Sequence, residues 1–120
     1  MQMPDDIQML EQNDLGYTVE FNVPPDLFYF NGHFPVKQLL PGVVQVGWVE
    51  ELTRRYLDPQ LALKAISQLK FTAPVMPGDR LQIQALLSAD HHKLDFTYLL
   101  KLKGQLIQAS KGRLVFVENA

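Results

Sequence analysis

The chain has 120 residues, 11 Lys and Arg against 13 Asp and Glu, a formal net charge of −2, 47% hydrophobic residues and no cysteine. A chain of that length builds one core and leaves little for an enclosed pocket, so a substrate site shared between two subunits is expected. The absence of cysteine excludes disulfides, thiol nucleophiles and thiolate metal sites, and the slightly negative charge argues against non-specific nucleic-acid binding.

Residues 1–14 mix acids, amides and methionines without a period, and are expected to form an N-terminal arm, loosely held or a short helix, before a single domain over 15–120. They hold no basic n-region, and nowhere do 18 apolar residues follow one another, so a cytoplasmic protein with no membrane segment is expected. Tyr17, Val19, Phe21 and Val23 alternate with polar residues, the period of a half-buried strand, which Pro24 and Pro25 end. The next stretch, DLFYFNGHFPVKQLLPG, is crowded with aromatics, proline and glycine and reads as an irregular segment.

Pro41 suits the first position of a helix that runs about four turns to Asp58-Pro59. Its first half, from Val43 to Val49, is apolar on nearly every side, so the helix is expected to be wrapped by the rest of the chain. Leu69, Phe71 and Ala73 then alternate with polar residues, as do Leu81, Ile83, Ala85 and Leu87, and later Leu94 to Leu102. Lys103-Gly104 suits a two-residue turn, and a last strand is expected from Leu106 to Val117. One strand, a long helix and about four more strands imply an α+β fold, with a mostly antiparallel sheet curved around the helix.

Three motifs follow in order: Gly32-His33-Phe34-Pro35, Leu40-Pro41-Gly42-Val43-Val44 and Met76-Pro77-Gly78-Asp79. Over roughly residues 15–118 the chain resembles the hot-dog-fold 3-hydroxyacyl-(acyl carrier protein) dehydratases of fatty acid synthesis. The run Gly42-Val43-Val44-Gln45-Val46-Gly47-Trp48 is most similar to their aryl-polyene-type branch. The resemblance implies a curved antiparallel sheet around a central helix, dimers or higher oligomers with a site made by both chains, no cofactor, and an acyl carrier protein as partner.

Dehydrating a 3-hydroxyacyl thioester needs a base for the proton beside the carbonyl, an acid for the departing hydroxyl and donors for the enolate-like oxygen. An imidazole titrates near neutrality and can do the first two jobs in turn, which makes His33 the natural base and proton shuttle. A histidine in an aromatic loop, taken alone, is more often a structural hydrogen-bonder; Gly32, Phe34 and Pro35 around it reverse that judgement. If Pro41 opens the helix, the amides of Gly42 and Val43 lack partners inside it and are candidates to hold the thioester oxygen. Phe34 and Pro35 would shape the mouth of the site. Phe28, Phe30, Phe34, Trp48 and Phe71 would line an acyl tunnel by the same resemblance, although large aromatics in a small domain are usually core.

One position departs from the pattern. The dehydratases resembled carry a Glu or Asp on the central helix fourteen residues after the histidine, and here Gly47 stands there. A helical glycine costs about 1 kcal/mol against alanine. Either Gly47 makes room for substrate, water or a partner, or the acid has been lost along with dehydration. Glu51 lies one turn further on the same face and is an acid candidate, but one turn moves a side chain about 5 to 6 Å, too far to assume that it substitutes. Gln45, about 160° round the helix from Gly47, is a poor stand-in.

Two other readings stay open: a non-catalytic acyl-carrier or acyl-chain-binding subunit, half of a heterodimer whose partner supplies the carboxylate, and, last, a thioesterase. Lys37, Arg54, Arg55, Lys64 and Lys70 are candidates for docking an acidic carrier. His91-His92 has no spaced third ligand, so no metal is expected there.

Overall fold

The computed structural model describes residues 2–27 and 39–118. His33, Phe34 and Pro35, with Phe28, Phe30 and Lys37, lie outside the described residues. The elements are β1 (Gln8–Gln12), β2 (Gly16–Asn22), α1 (Gly42–Tyr56), β3 (Leu61–Phe71), β4 (Arg80–Leu87), β5 (Lys93–Leu102) and β6 (Gln105–Glu118). The six strands form one sheet in the order β1-β2-β4-β5-β6-β3, and every neighbouring pair is antiparallel.

The sheet curves because inward and outward residues alternate against one apolar helix. Tyr17, Val19 and Phe21 of β2, Leu81 and Ile83 of β4, and Leu94, Phe96 and Tyr98 of β5 are buried against α1. From the helix come Val44, Val46, Trp48, Val49 and Leu52. The wrapping is incomplete, however. Val43 is 75% exposed and Gly47 half-buried, so the helix keeps an open outward stripe that a single sheet does not reach.

Two buried tyrosines fasten the helix to the sheet. The Tyr17 hydroxyl donates to the Val49 carbonyl at 3.3 Å and shares a 3.1 Å hydrogen bond with the Thr53 hydroxyl; the Tyr98 hydroxyl donates to the Gln45 carbonyl at 2.6 Å. Burial pushes both phenols well above their usual titration range, so both remain protonated donors.

Residues 2–14 are not a loose arm. Gln8–Gln12 pairs with β2 as an edge strand, and the Gln2 carbonyl accepts the Trp48 indole N–H at 2.9 Å. Backbone pairing drives this strand, since its side chains are almost all exposed and carry no apolar alternation. β3 likewise starts at Leu61, well before the alternation read from Leu69 onward. Irregularities at Leu63/Ala65 and Ser67/Lys70, with Gln68 at φ 55°, shift its inward and outward sides and hide the period. Lys103 and Gly104 (φ 50° and 78°) form the tight β5–β6 turn, as their types suggest.

On the outer face Glu20 is nearly buried. It accepts from Gln82 Nε2 at 2.8 Å and Arg80 Nε at 2.9 Å, with Lys101 Nζ 3.6 Å away. The Gln82 and Arg80 hydrogen bonds, helped by the Arg80 and Lys101 charges, hold its carboxyl below the ordinary 4.5 in spite of burial. Protons therefore bind the unfolded chain more tightly. The network's stabilisation is complete above about pH 4.5 and is lost as pH falls through the lower folded value. Thermal melts are expected to show a midpoint that drops below that pH, with a shallower drop in Glu20→Gln; identical slopes would refute the assignment. Asp58 and Asp95 act with the same sign, so Glu20→Gln removes only part of the fall.

Candidate active site

Residues 72–79 build the floor of the site. Thr72 and Ala73 donate their amides to the Ala109 carbonyl at 2.8 and 3.1 Å, which bends the chain off β3 toward the helix. The Val75 carbonyl then accepts the Leu40 amide at 2.7 Å and seats the residue before Pro41. Met76-Pro77-Gly78-Asp79 closes as a turn with Gly78 at φ 83°, an Asp79 amide to Met76 carbonyl bond of 3.1 Å, and the Asp79 carboxylate accepting the Met76 amide at 2.7 Å. Val23, at the end of β2, is held from both sides by Gly78 and Asp79 at 2.8 Å.

Pro41 is the residue that caps α1 rather than its first helical position, with φ −61° and ψ 146°. Its carbonyl takes the amides of Val44 and Gln45 at 3.0 and 3.1 Å. Gly42 and Val43 therefore point their amides out of the first turn with no acceptor among the described residues. No side chain caps this end and no acid stands in the first turn, so among the described residues nothing neutralises the positive end of the helix dipole.

A cavity of about 420 Å³ opens at this end of the helix, walled by Leu40, Pro41, Gly42, Gln45, Phe71 and Val75 among others. The chain that carries His33, Phe34 and Pro35 rejoins the described structure at Leu39, in the same wall. Phe71 leans its ring over the Gly42 backbone so closely that a Cβ at Gly42 would collide with it. Gly42 thus admits a close neighbour, as a helix-opening glycine can, and the neighbour present is an aromatic ring.

Gln45 was absent from the sequence-based site and belongs to its frame. It is 3% exposed; its Oε1 accepts the Ser110 hydroxyl at 2.7 Å and its Nε2 donates to the Leu40 carbonyl at 3.4 Å. With the Val75 bond, Leu40 is gripped on both sides of its peptide. The available signal was a lone amide in an otherwise apolar half-helix, on the same face as Val49 and Leu52.

Other candidates fall elsewhere. Trp48 is fully buried, edge-on to Phe21 at 5.5 Å, with its N–H taken by Gln2, and packs in the core. Gly47 lies on the outward stripe, five residues along the helix from Gly42 and so about 7 Å away along the axis. Glu51 is nine residues from Gly42, about 13 Å along the axis, and its carboxylate meets Arg54 at 3.5 Å. His91 Nδ1 lies 2.7 Å from Asp58 Oδ2 and His92 Nδ1 3.1 Å from the Phe116 carbonyl, ties between the β4–β5 turn, the helix end and β6. No group of three metal-ligating side chains occurs among the described residues.

A single antiparallel sheet rolled around one helix, with a cavity at the helix N-terminus, defines a hot-dog fold protein. The profile of the ApeI-like family, described as ApeI dehydratase, matches residues 8–112, and the chain belongs to that family. A 3-hydroxyacyl-(acyl-carrier-protein) dehydratase FabZ of Clostridium botulinum is 34% identical over 93 residues, which cover 70% of this chain and 62% of that relative's length. Among solved structures, a chain of the dehydratase heterocomplex ApeI:P from Xenorhabdus doucetiae superposes with a TM-score of 0.87 at 30% identity, covering 98% of this chain and 100% of the other. An uncharacterised protein from Erwinia carotovora subsp. atroseptica follows with a TM-score of 0.79 at 31% identity, covering 98% and 94%.

Proposed function

We propose that the protein removes water from a 3-hydroxyacyl thioester carried on acyl carrier protein, giving the trans-2-enoyl thioester. The observation that carries this reading is the helix N-terminus, where the Gly42 and Val43 amides have no partner among the described residues, at a cavity whose wall includes Leu39, where the segment bearing His33 rejoins the described chain. His33 takes the proton from C2, and the charge that develops on the thioester oxygen is held by the two amides and the helix dipole. The C3–O bond then breaks, the C2–C3 double bond forms, and His33 returns the proton to the departing hydroxyl, which leaves as water. Phe34 and Pro35 shape the mouth of the site; no cofactor is needed for these steps.

The protein works in the cytoplasm as a dimer. β3 ends the sheet with an edge that pairs with no further strand among the described residues, and on it Ile66 and Leu69 are 45% and 39% exposed. A second copy pairing there would cover both.

Gly47 favours a second reading, a subunit whose carboxylate comes from a different chain, and the ApeI:P relative is itself a heterocomplex. Assays of the purified protein with 3-hydroxyacyl and enoyl carrier-protein substrates, beside Gly47→Glu, separate the two. Turnover by the wild type is expected. No turnover by the wild type with activity gained in Gly47→Glu would overturn the catalytic reading.

A further inference from the structure

Among the described residues the buried polar side chains are Glu20, Gln45, Thr53 and Ser110, and two of them meet: Gln45 Oε1 accepts the Ser110 hydroxyl at 2.7 Å. Ser110 has Tyr98 as its direct cross-strand partner in β5 and Phe71 as its partner in β3, so the three residues form one rung across three strands. All three reach the first turn of α1. The Tyr98 hydroxyl donates to the Gln45 carbonyl, the Ser110 hydroxyl to the Gln45 side chain, and the Phe71 ring lies against Gly42.

That rung bears on the direction of the helix-start amides. The Pro41 carbonyl turns inward to the Val44 and Gln45 amides at 3.0 and 3.1 Å, and across a trans peptide the Gly42 N–H points the opposite way, out of the helix. The residue before Pro41 anchors that peptide. Leu40 is held from the floor by its amide on the Val75 carbonyl at 2.7 Å, and its own carbonyl is held from the helix by Gln45 Nε2 at 3.4 Å. A carbonyl can only accept, so it needs the nitrogen side of the Gln45 amide, and the Ser110 hydroxyl fixes that orientation by occupying the oxygen side.

As a source of stability the pair is weak. A buried amide gains little net free energy from its hydrogen bonds, and an apolar pair of similar shape would pack the helix on the sheet about as well. An apolar pair would not aim the Leu40 carbonyl. We propose that Gln45 and Ser110 are positioning residues that act through Leu40 and Pro41 to direct the Gly42 and Val43 amides at the thioester oxygen, an inference that rests on the dehydratase reading above. Those amides serve the charge that develops in the transition state, so misdirecting them lowers kcat and leaves KM nearly as it was.

The test measures kcat, KM and the melting midpoint of wild type, Ser110→Ala, Gln45→Met/Ser110→Ala and Tyr17→Phe, with a 3-hydroxyacyl thioester on carrier protein and at a temperature where each is fully folded. Ser110→Ala is expected to lower kcat about tenfold and the double variant about a hundredfold, with KM within about threefold of wild type. Tyr17→Phe cuts the tie to Val49 and Thr53 further along the same helix, and should lower the melting midpoint while kcat stays within about twofold. Unchanged kcat in the pair variants would overturn the proposal. So would a loss in Tyr17→Phe equal to that in Ser110→Ala, since any loosened tie between helix and sheet would then suffice. If the double variant does not fold, Ser110→Ala decides by the same kcat criterion. Should wild type turn over neither 3-hydroxyacyl nor enoyl substrate, the dehydratase reading fails by itself. The direction of the amides is then read from proton–nitrogen correlation spectra: the Gly42 and Val43 resonances are expected to shift or broaden in Ser110→Ala and to stay in place in Tyr17→Phe, and resonances unmoved in Ser110→Ala overturn the proposal.

Discussion

Replacing His33 with alanine is expected to lower kcat/KM for a 3-hydroxyacyl thioester by about 10²- to 10⁴-fold, the range of a positioned general base. Because the imidazole acts on the proton in flight, the loss should fall on kcat with KM changed far less. The wild-type rate should rise with pH as the base loses its proton, and that limb should vanish in His33→Ala. Initial rates from enoyl absorbance across pH measure both. A wild-type rate untouched by His33→Ala would reject the base assignment. Gly47→Glu asks separately whether a helix carboxylate at that position can share the second proton transfer with His33.

Trp48→Ala is expected to cost about 3 to 5 kcal/mol, a large share of a small domain's stability. The indole fills the space between helix and sheet against Phe21, and its N–H holds the Gln2 carbonyl. Its removal opens a cavity and releases the chain before β1. Urea denaturation should record the loss, and hydrogen exchange should quicken first in Gln8–Gln12, whose side chains are mostly exposed. A variant as stable as wild type but unable to bind an acyl chain would restore Trp48 to the tunnel wall, where sequence resemblance had put it.

Much of this architecture can be read from alternation alone. β2, β4, β5, β6 and α1 lie close to where their apolar periods end, and the turns at Pro77-Gly78 and Lys103-Gly104 follow from residues that tolerate the required backbone. What escapes is whatever has no side-chain pattern. β1 is an edge strand made by backbone pairing and offers no period, and β3 changes side at its irregularities, so only its last residues, from Leu69, offer one. The outward stripe of α1 is apolar in composition yet exposed at Val43, because composition does not say how far one sheet can reach.

The site divides in the same way. Pro41-Gly42 at a helix start announces free amides by type and position, and the structure leaves those of Gly42 and Val43 without partners among the described residues. Gln45 and Ser110 lie 65 residues apart in sequence, and only folding brings them to one hydrogen bond. Trp48 lies beside the site in sequence and is fully buried against Phe21, a placement that its position in the chain alone does not give.

The eight residues 72–79 bear on how this chain can change in length. They end β3 on Ala109, seat the helix start through Leu40 and close β2 at Val23, each by backbone hydrogen bonds that depend on spacing rather than on side-chain identity. Substitutions there are tolerable wherever the backbone angles permit, but a single inserted or deleted residue would move three elements at once. The β5–β6 turn at Lys103-Gly104 carries no such obligation, and a Cβ at Gly104 would meet nothing within 4 Å. Grafted loops, tags and inherited insertions should therefore collect at that hairpin tip, while the stretch from Thr72 to Asp79 keeps its length through any lineage that keeps the fold.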